Sequence, residues 1–371
     1  MKINLTVPCL LGIESLVANE IKEFGADNII TENGRVFFTG DEFMLARANI
    51  NSRYSERIQI LVGSFYAKSF TELFDEVRCL PWEKWILEKD SFPVKGYSKD
   101  SALFSTSDCQ SIIKKAVVER LKEKYGIEWF EESGPIHQIQ FAIIKDRVLM
   151  LIDTTGDGLH KRGYRLDAAQ APIKETLAAA LCNISRLRPY HKLYDPMCGS
   201  GTILIEGALI AKNIAPGLNR PFSAERWAVF DRKVWSAERE RAKSLEREAD
   251  DFFAFGSDLD GESIAFAKEN AKRAGVADMI DFRVADLADF KAKSERGTLV
   301  CNPPYGERLL DLEQSEKIYK EMGKVFEQKR GWSYTIISPS ETFEESFGRK
   351  ADKRRKLYNG MIRCQAFMYY K

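Results

Sequence analysis

The chain has 371 residues, 44% of them apolar, which is enough to bury substantial cores and makes two or three domains the first expectation. Its 56 Lys and Arg residues nearly cancel 55 Asp and Glu residues, so no global field indicates a nucleic-acid partner and any basic surface has to be local. Seven cysteines without a CxxC pair, together with only three histidines, argue against a zinc or iron–sulfur site and indicate reduced thiols.

No segment of the sequence indicates export or a membrane. The first residues, MKINLTVPCL, lack the charged start and long apolar run of a signal peptide, and no stretch has about 18 uninterrupted apolar residues. We therefore expect a cytoplasmic protein with no membrane partner. No sequence feature assigns an oligomeric state.

The first 65 residues alternate short apolar strands with amphipathic helices. Residues 2–7 and 57–65 are predicted strands, and two helices are predicted between them. Asn33-Gly34 between two β-prone runs predicts a hairpin. The resulting order β-α-β-β-α-β predicts a ferredoxin-like α+β domain over residues 1–65.

Residues 66–155 are predicted to form a second small α+β domain. Helices are predicted at 70–78 and 110–125, and the region closes with HQIQFAIIKDRVLMLIDTT, two apolar runs around a charged turn. The glycine-rich segment TTGDGLHKRGYR, which follows, predicts a linker.

From about residue 165 helices alternate with short buried strands, which predicts a parallel, doubly wound α/β sheet. Strands are predicted at 192–195, 252–257, 280–284, 297–301 and 333–337. Helices are predicted at 202–212, 236–249, 262–274 and 315–328. The helix at 236–249 carries both charge signs at helical spacing, so we expect it to be exposed and without a chemical role.

The segment KLYDPMCGSGTILIEGA combines a strand, a glycine loop and the start of a helix. Gly199 and Gly201 permit close backbone approach, and the helix beginning near Thr202 offers free N–H groups. A dinucleotide fingerprint would need a third glycine where Leu204 stands, and a Walker loop would need a lysine that the segment lacks. The loop therefore indicates a different ligand.

Three successive strand ends finish in aspartate. Asp195 would repel a pyrophosphate but favours an ammonium or a sulfonium, and S-adenosylmethionine carries both cations. Asp258 suits a ribose diol, and Asp286 is placed to accept a hydrogen bond from the adenine amino group, with Leu287 near the ring. The predicted cofactor is S-adenosylmethionine, with a predicted site formed by Asp195, Cys198, Gly199, Ser200, Gly201, Thr202, Asp258, Asp286 and Leu287.

The fourth strand ends in Asn302-Pro303-Pro304-Tyr305, to which we assign catalytic roles. The Asn302 side-chain oxygen and the Pro303 carbonyl are acceptors for the N–H groups of an exocyclic amine, and they would favour a tetrahedral nitrogen whose lone pair faces the sulfonium. The prolines hold these acceptors rigid. Tyr305 is placed to stack on a flipped or single-stranded base.

A wider set of motifs resembles one family, the THUMP-domain class I RNA methyltransferases of the RlmL type. The motifs extend over nearly the whole chain: PCLLGIESLVANEI, LHKRGYR, APIKETLAAAL, DPMCGSGTILIEGA, APGLNRPFSAERW, GSDLD, CNPPYGER and KADKRRKLYNG. The resemblance implies a ferredoxin-like domain at 1–65 and a THUMP RNA-binding domain at 66–155. These precede a Rossmann-like class I methyltransferase domain at 160–371.

The same resemblance implies methylation of a guanine exocyclic amine in 23S ribosomal RNA. The best-known bacterial members append a second methyltransferase domain, whereas this sequence ends at Lys371, so it resembles the shorter branch with a single methyltransferase domain. RNA is accordingly the expected partner.

Local basic clusters agree with an RNA partner. One lies at 160–165 and the other at 349–356, in a segment expected to return beside the catalytic edge of the sheet. The residues assigned to RNA contacts are Lys161, Arg162, Arg165, Lys353 and Arg355.

Three alternatives remain open on the sequence alone. The Asn-Pro-Pro-Tyr motif does not choose the base, so adenine in DNA is an alternative target. A non-catalytic RNA-binding factor for ribosome assembly is another, although every expected catalytic position is filled. Cys301 or Cys198 could attack a pyrimidine ring as a thiol, but core packing is the favoured interpretation of Cys301.

Overall fold

The computed structural model of the protein describes residues 1–165, 173–292, 294–305, 312–327 and 329–370. Within these ranges the strands form two seven-stranded sheets with helices packed against them. None of the helices in the described ranges is long and apolar enough to cross a membrane.

The first sheet is built from the N-terminal part of the chain. Its elements are β1 (Ile3–Pro8), α1 (Glu14–Glu23), β2 (Asp27–Glu32), β3 (Arg35–Gly40), α2 (Glu42–Asn51), β4 (Gln59–Tyr66), α3 (Phe70–Cys79), β5 (Val94–Lys99), α4 (Thr106–Tyr125), β6 (Ile139–Ile144) and β7 (Arg147–Asp153). The predicted order β-α-β-β-α-β is confirmed as far as β4, with β2 and β3 joined at Asn33-Gly34. Strand β1 buries Ile3, Leu5 and Val7 on one face and Thr6 on the other, which leaves Asn4 as its exposed residue.

The sheet does not end where the ferredoxin-like order ends. Strand β4 pairs with β1 on one side and, antiparallel, with β7 on the other. The strand order is β2-β3-β1-β4-β7-β6-β5, so backbone hydrogen bonding is continuous from the ferredoxin-like order into the following strands. The predicted boundary at residue 65 falls within β4, in the middle of this sheet.

The second sheet is built from residues after 173. Its elements are α5 (Glu175–Ile184), β8 (Lys192–Asp195), α6 (Thr202–Ala211), α7 (Arg232–Ser244), β9 (Phe253–Asp258), α8 (Gly261–Arg273), β10 (Ile280–Val284), β11 (Gly297–Cys301), α9 (Leu312–Val325), β12 (Trp332–Ser338), α10 (Phe343–Phe347), β13 (Lys353–Asn359) and β14 (Ile362–Tyr370). The five strands β8 to β12 are parallel, which confirms the predicted doubly wound sheet. The closing hairpin β13–β14, antiparallel to β12, was not among the predicted elements.

The order of the second sheet determines where a ligand can bind. The strands follow the order β10-β9-β8-β11-β12-β14-β13, so the sequence order reverses between β8 and β11. In open α/β sheets, ligands bind beyond the carboxyl ends of the strands at such a reversal. The ends of β8 and β11 are therefore the expected floor of a binding site.

Helix α7 joins the two halves of the molecule, and the prediction that it is merely exposed is wrong. It buries Val234, Trp235 and Glu238. The Glu238 carboxylate accepts two hydrogen bonds from Arg47 of α2, at 2.7 and 3.0 Å. The dense charge of the helix concealed one face that packs against the N-terminal sheet.

The glycine-rich segment after β7 is held in place by the second half of the chain. The Arg220 guanidinium donates to the carbonyl oxygens of Asp157, Gly158 and Lys161, at 2.5 to 2.9 Å. Nearby, the indole N–H of Trp227 donates to the carbonyl of Ile136 at 3.1 Å. The predicted linker is thus a packed joint with satisfied backbone groups.

Candidate active site

The carboxyl ends of the parallel strands of the second sheet open into a cleft of about 1350 Å³. The predicted residues that line it are Asp195, Cys198, Gly199, Ser200, Thr202, Asp258, Asp286, Leu287, Asn302, Pro303, Pro304 and Tyr305. Residues predicted for the cofactor and for the target base thus share one continuous space. Gly201 lies behind the lining, where a side chain would meet Phe282 at 2.8 Å.

The glycine loop after β8 directs backbone donors along the cleft. The Gly199 N–H donates to Asp258 Oδ2 at 2.8 Å, which fixes that carboxylate at the end of β9. Gly199 and Gly201 have φ of +50° and +78°, and open space surrounds the position that a Gly199 side chain would occupy. Helix α6 begins at Thr202 with no side-chain cap, so its first N–H groups are available to an anionic group such as a carboxylate.

Asp195 is the buried carboxyl at the reversal point. Its Oδ1 accepts a hydrogen bond from the Met197 N–H at 3.2 Å, and the Cys301 thiol donates to the same carboxyl. Burial, with a smaller contribution from the nearby charge of Asp258, raises the pKa of Asp195 to about 7. A cation placed in the cleft would restore the ionised form, so this site fits a positively charged ligand.

The third predicted aspartate is held more loosely. Asp286 is exposed, and its Oδ1 accepts from the Ala288 N–H at 2.8 Å, which caps the short turn Leu287–Asp289. Leu287 in that turn is buried. The pair offers one polar and one apolar wall at the end of the cleft beyond β10.

The turn after β11 presents an acceptor without a donor. Asn302 Oδ1 is screened from solvent and accepts no hydrogen bond from any described residue. A buried acceptor in this state is costly unless a ligand supplies an N–H group. The cleft that reaches Asn302 is therefore suited to a group that carries N–H donors.

Tyr305 is anchored at the far side of this turn. Its hydroxyl oxygen accepts from Asn359 Nδ2 at 2.7 Å and lies 3.6 Å from Cys364 Sγ, and its burial raises its pKa. The residue is only 8% exposed, so a base can contact only the part of the ring that faces the cleft. Its stacking role stays a prediction.

The two thiols of the site are poor nucleophiles. Burial, with the charge of Asp195, raises the pKa of both Cys301 and Cys198 well above the usual range. Cys301 is fully buried and donates to Asp195. The structure therefore favours core packing over thiol chemistry, as the sequence interpretation did.

Three of the predicted RNA contacts are used inside the protein. The prediction for Arg162 is wrong because the side chain is buried, donating to the carbonyls of Leu159 and Arg53 at 2.6 Å each. The side chains of Arg165 and Arg355 also donate hydrogen bonds to other groups of the protein. Arg165 Nη2 donates to Ile173 O at 2.7 Å and to Thr202 Oγ1, and Arg355 Nε donates to Gly12 O at 2.7 Å.

The two predicted lysines are exposed. Lys161 forms an ion pair with Asp157 at 3.3 Å, and both side chains are largely in solvent. Lys353 lies exposed on β13. Their contacts with RNA stay predictions.

Sequence reasoning missed one wall of the cleft. The tip of hairpin β13–β14 contributes Asn359, Gly360, Met361 and Ile362 to the lining. Gly360, at the first central position of the two-residue turn, is a residue typical of tight hairpins, so the sequence contained a signal for this turn. Among the residues that the structure describes, no group of three or more His, Cys, Asp or Glu side chains is placed to hold a metal ion.

Five parallel strands closed by an antiparallel hairpin, a glycine loop and acidic strand ends together define a class I S-adenosylmethionine-dependent methyltransferase. The chain matches three domain families: the RlmL ferredoxin-like domain over residues 4–59, the THUMP domain over 67–153, and the RMKL-like methyltransferase domain over 162–367. It belongs to the RMKL-like methyltransferase family. S-adenosylmethionine is the methyl donor of this class, and the donor and acceptor groups of the cleft fit it.

Relatives and solved structures agree with this assignment. The chain is 43% identical to the "Putative RNA methyltransferase YpsC" of Bacillus subtilis, covering 100% of this chain and 96% of that protein. It is 34% identical to the "Ribosomal RNA large subunit methyltransferase K/L" of Shewanella baltica, of which it covers 52%. The chain therefore spans about half the length of the K/L protein.

Several crystal structures match the whole chain, including the following two. A "predicted N6-adenine-specific DNA methylase" from Listeria monocytogenes superposes with a TM-score of 0.94 at 43% identity, and the match covers 96% of it. SMU.472, "a putative methyltransferase complexed with SAH", gives a TM-score of 0.94 at 40% identity, and the match covers 98% of it. SAH is S-adenosylhomocysteine, the product left when S-adenosylmethionine gives up its methyl group.

Proposed function

We propose that the protein transfers a methyl group from S-adenosylmethionine to the exocyclic amine of a guanine in 23S ribosomal RNA. The observation that carries this proposal is that Asn302 Oδ1, which accepts no hydrogen bond from the residues described by the structure, lies in the same cleft as Asp195 and Asp258. The ribosomal RNA substrate named for the K/L relative supports the choice of RNA. We also propose that residues 1–65 and 66–155 bind the RNA and that 160–371 carry the chemistry.

S-adenosylmethionine supplies a methyl group on a sulfonium, which leaves as a neutral thioether, so no strong base is needed. Asn302 Oδ1 and the Pro303 carbonyl accept the N–H groups of the amine and favour a tetrahedral nitrogen. The bond from nitrogen to the methyl carbon forms as the carbon–sulfur bond breaks, and the amine then releases one proton to water. Most of the rate comes from holding the two reactants in line.

Asp195 and Asp258 hold the cofactor in this proposal. The ionised Asp195 faces a cation, and Asp258, fixed by the Gly199 N–H, accepts the ribose hydroxyls. The uncapped first turn of α6 faces the carboxylate of the methionine moiety.

Adenine in DNA is the main rival target, because the Asn-Pro-Pro-Tyr turn does not distinguish the bases and the Listeria structure carries that description. The test incubates the protein and labelled S-adenosylmethionine with ribosomal RNA from cells lacking the gene, and in parallel with unmethylated DNA. Nucleosides are then identified by mass spectrometry. N2-methylguanosine supports the proposal, N6-methyldeoxyadenosine supports the rival, and RNA binding without label transfer indicates a non-catalytic assembly factor.

A further inference from the structure

The tip of hairpin β13–β14 projects at the mouth of the cleft. Asn359 and Ile362 are the last paired residues, so Gly360 and Met361 form a two-residue turn, with Gly360 at φ +62°. A glycine at the first central position is what a type II′ turn requires. Met361 is 98% exposed, although hairpin turns usually carry small or polar residues.

The inner face of this hairpin is anchored beside the target pocket. Leu357 and Cys364, which pair across the hairpin, are buried. One step nearer the tip on the same face, Asn359 Nδ2 donates to the Tyr305 hydroxyl at 2.7 Å. The position of Met361 is therefore fixed relative to the Asn302–Tyr305 turn.

The outer face of the hairpin is basic. Lys356 and Arg363 are exposed, and neither forms an ion pair with another described residue. Charges of this kind beside an apolar tip fit phosphate groups on both sides of a nucleotide that enters the cleft. They argue for a nucleic-acid strand at the tip in preference to a protein or a lipid surface.

A base that leaves its helix leaves a gap in the stack. Proteins that unstack nucleic acid fill such gaps with apolar wedges, and methionine is among the residues used. Its thioether is flexible and polarisable and makes favourable contacts with aromatic rings. Met361 has the chemistry and the location for this role.

We propose that Met361 enters the RNA helix beside the target guanine and fills the space that the base vacates, while Lys356 and Arg363 contact the flanking phosphates. Met361 is thus a positioning residue that lowers the free energy of base extrusion. This inference rests on the proposed function, because it requires an RNA substrate whose target base enters the cleft.

The test compares two RNA duplexes built around a guanine that the protein is found to methylate in ribosomal RNA, with that guanine opposite either cytosine or an abasic site. We expect Met361→Ala to lower kcat/KM at least about tenfold on the duplex with the paired guanine. On the duplex with the abasic site, kcat/KM of this variant should stay within about threefold of the wild-type value. Met361→Leu should restore activity on the paired duplex to within about threefold. Leu245→Ala, at an exposed leucine just after α7, is the matched control and should not change kcat/KM on either duplex.

Equal activity of Met361→Ala and the wild type on the paired duplex would overturn this inference alone. So would an equal loss on both duplexes, because that pattern indicates a structural effect on the cleft. A wild-type protein that methylates no guanine in ribosomal RNA would overturn the proposed function, and the wedge role with it. The two failures are distinguishable because the second appears in the unmutated protein.

Discussion

Asn302 and Asp195 both place a polar group of the candidate active site where water cannot solvate it. Asn302 Oδ1 is buried and receives no hydrogen bond within the described part of the chain, and Asp195 is a buried carboxyl. Both arrangements cost stability in the ligand-free protein. Residues of this kind are typical of sites built for a ligand, where the missing partner arrives with the substrate or the cofactor.

Replacing Asn302 by alanine should separate chemistry from cofactor binding. We expect kcat to fall by about 10²- to 10³-fold, because one of the acceptors that reshape the amine is lost. The affinity for S-adenosylmethionine, measured by calorimetry, should stay within about threefold, since Asn302 is assigned to the base. Normal turnover of Asn302→Ala would contradict its assigned role.

Replacing Asp195 by asparagine should stabilise the cofactor-free protein at neutral and alkaline pH. The folded protein raises the pKa of Asp195 from 3.8 to about 7, so between these values the folded state binds more protons than the unfolded state and stability falls as pH rises. Asp195→Asn removes this penalty, giving a gain of up to about 4 kcal/mol at pH 8 that vanishes near pH 4. Urea unfolding across this pH range measures the difference.

The affinity for S-adenosylmethionine is the second measurement on the Asp195 variant. The same Asp195→Asn variant should bind S-adenosylmethionine more weakly, because the carboxylate that faces the cation is gone. The comparison is the free energy of unfolding of Asp195→Asn minus that of the wild type. If this difference is no larger at pH 8 than at pH 4, the burial argument is contradicted.

The sequence predicted the acidic strand ends well because a simple geometric rule brings carboxyl ends of parallel strands together. It could not predict the roles of the arginines. Arg162, Arg165 and Arg355 look like solvent charges in the sequence, yet each donates to carbonyl or side-chain oxygens within the protein. Whether a guanidinium faces solvent depends on how the two halves of the chain pack, which local pattern does not encode.

At the scale of elements, hairpin β13–β14 connects the N-terminal sheet with the candidate active site. Gly12, in the turn before α1, accepts a hydrogen bond from Arg355 of β13 at 2.7 Å. A side chain at Gly12 would lie 2.1 Å from the Lys356 carbonyl oxygen. The contact between the halves therefore depends on a residue with no side chain.

Gly12→Ala should accordingly destabilise the protein more than a similar change elsewhere. Gly25 is the matched control, since its φ of +92° is close to the +94° of Gly12 but open space surrounds it. We expect Gly25→Ala to cost about 1–2 kcal/mol from backbone strain alone and Gly12→Ala at least about 1 kcal/mol more. Urea unfolding measures both, and equal losses would show that the close contact at Lys356 is relieved without cost.

The hairpin also shows why some elements escaped prediction. Strand β13, KRRKLYN, carries four cations in seven residues and buries only Leu357, so no apolar alternation marks it as a strand. Helix α7 is a different case: the helix itself was predicted, at 236–249, but its charged sequence suggested exposure although Trp235 and Glu238 are buried. In both cases tertiary contacts supplied the environment that the local pattern concealed.

At the scale of the whole molecule, the two sheets are joined by buried polar contacts as well as by apolar packing. The pair Arg47–Glu238 is the clearest of these, with the Glu238 side chain 4% exposed. Arg241 of the same helix lies 3.7 Å from that carboxylate and forms a second, longer ion pair with it.

Arg47→Ala should weaken this joint by about 2–4 kcal/mol, because it leaves a buried carboxylate without its main partner. Lys317→Ala, in the exposed pair with Glu313, is the control and should change stability by less than about 0.5 kcal/mol. Denaturant unfolding measures both. If Arg47→Met with Glu238→Met is as unstable as Arg47→Ala, the loss does not come from the unpaired charge.

The continuous first sheet has a consequence for how this protein can be divided. A fragment that stops at residue 66 would expose the whole β4 edge that β7 covers, a row of free amide and carbonyl groups ready to recruit strands from other copies. Such a fragment should form aggregates, whereas one that ends beyond Asp153 keeps that edge covered. Recombination among relatives would therefore have to exchange the first 153 residues as a single inherited block.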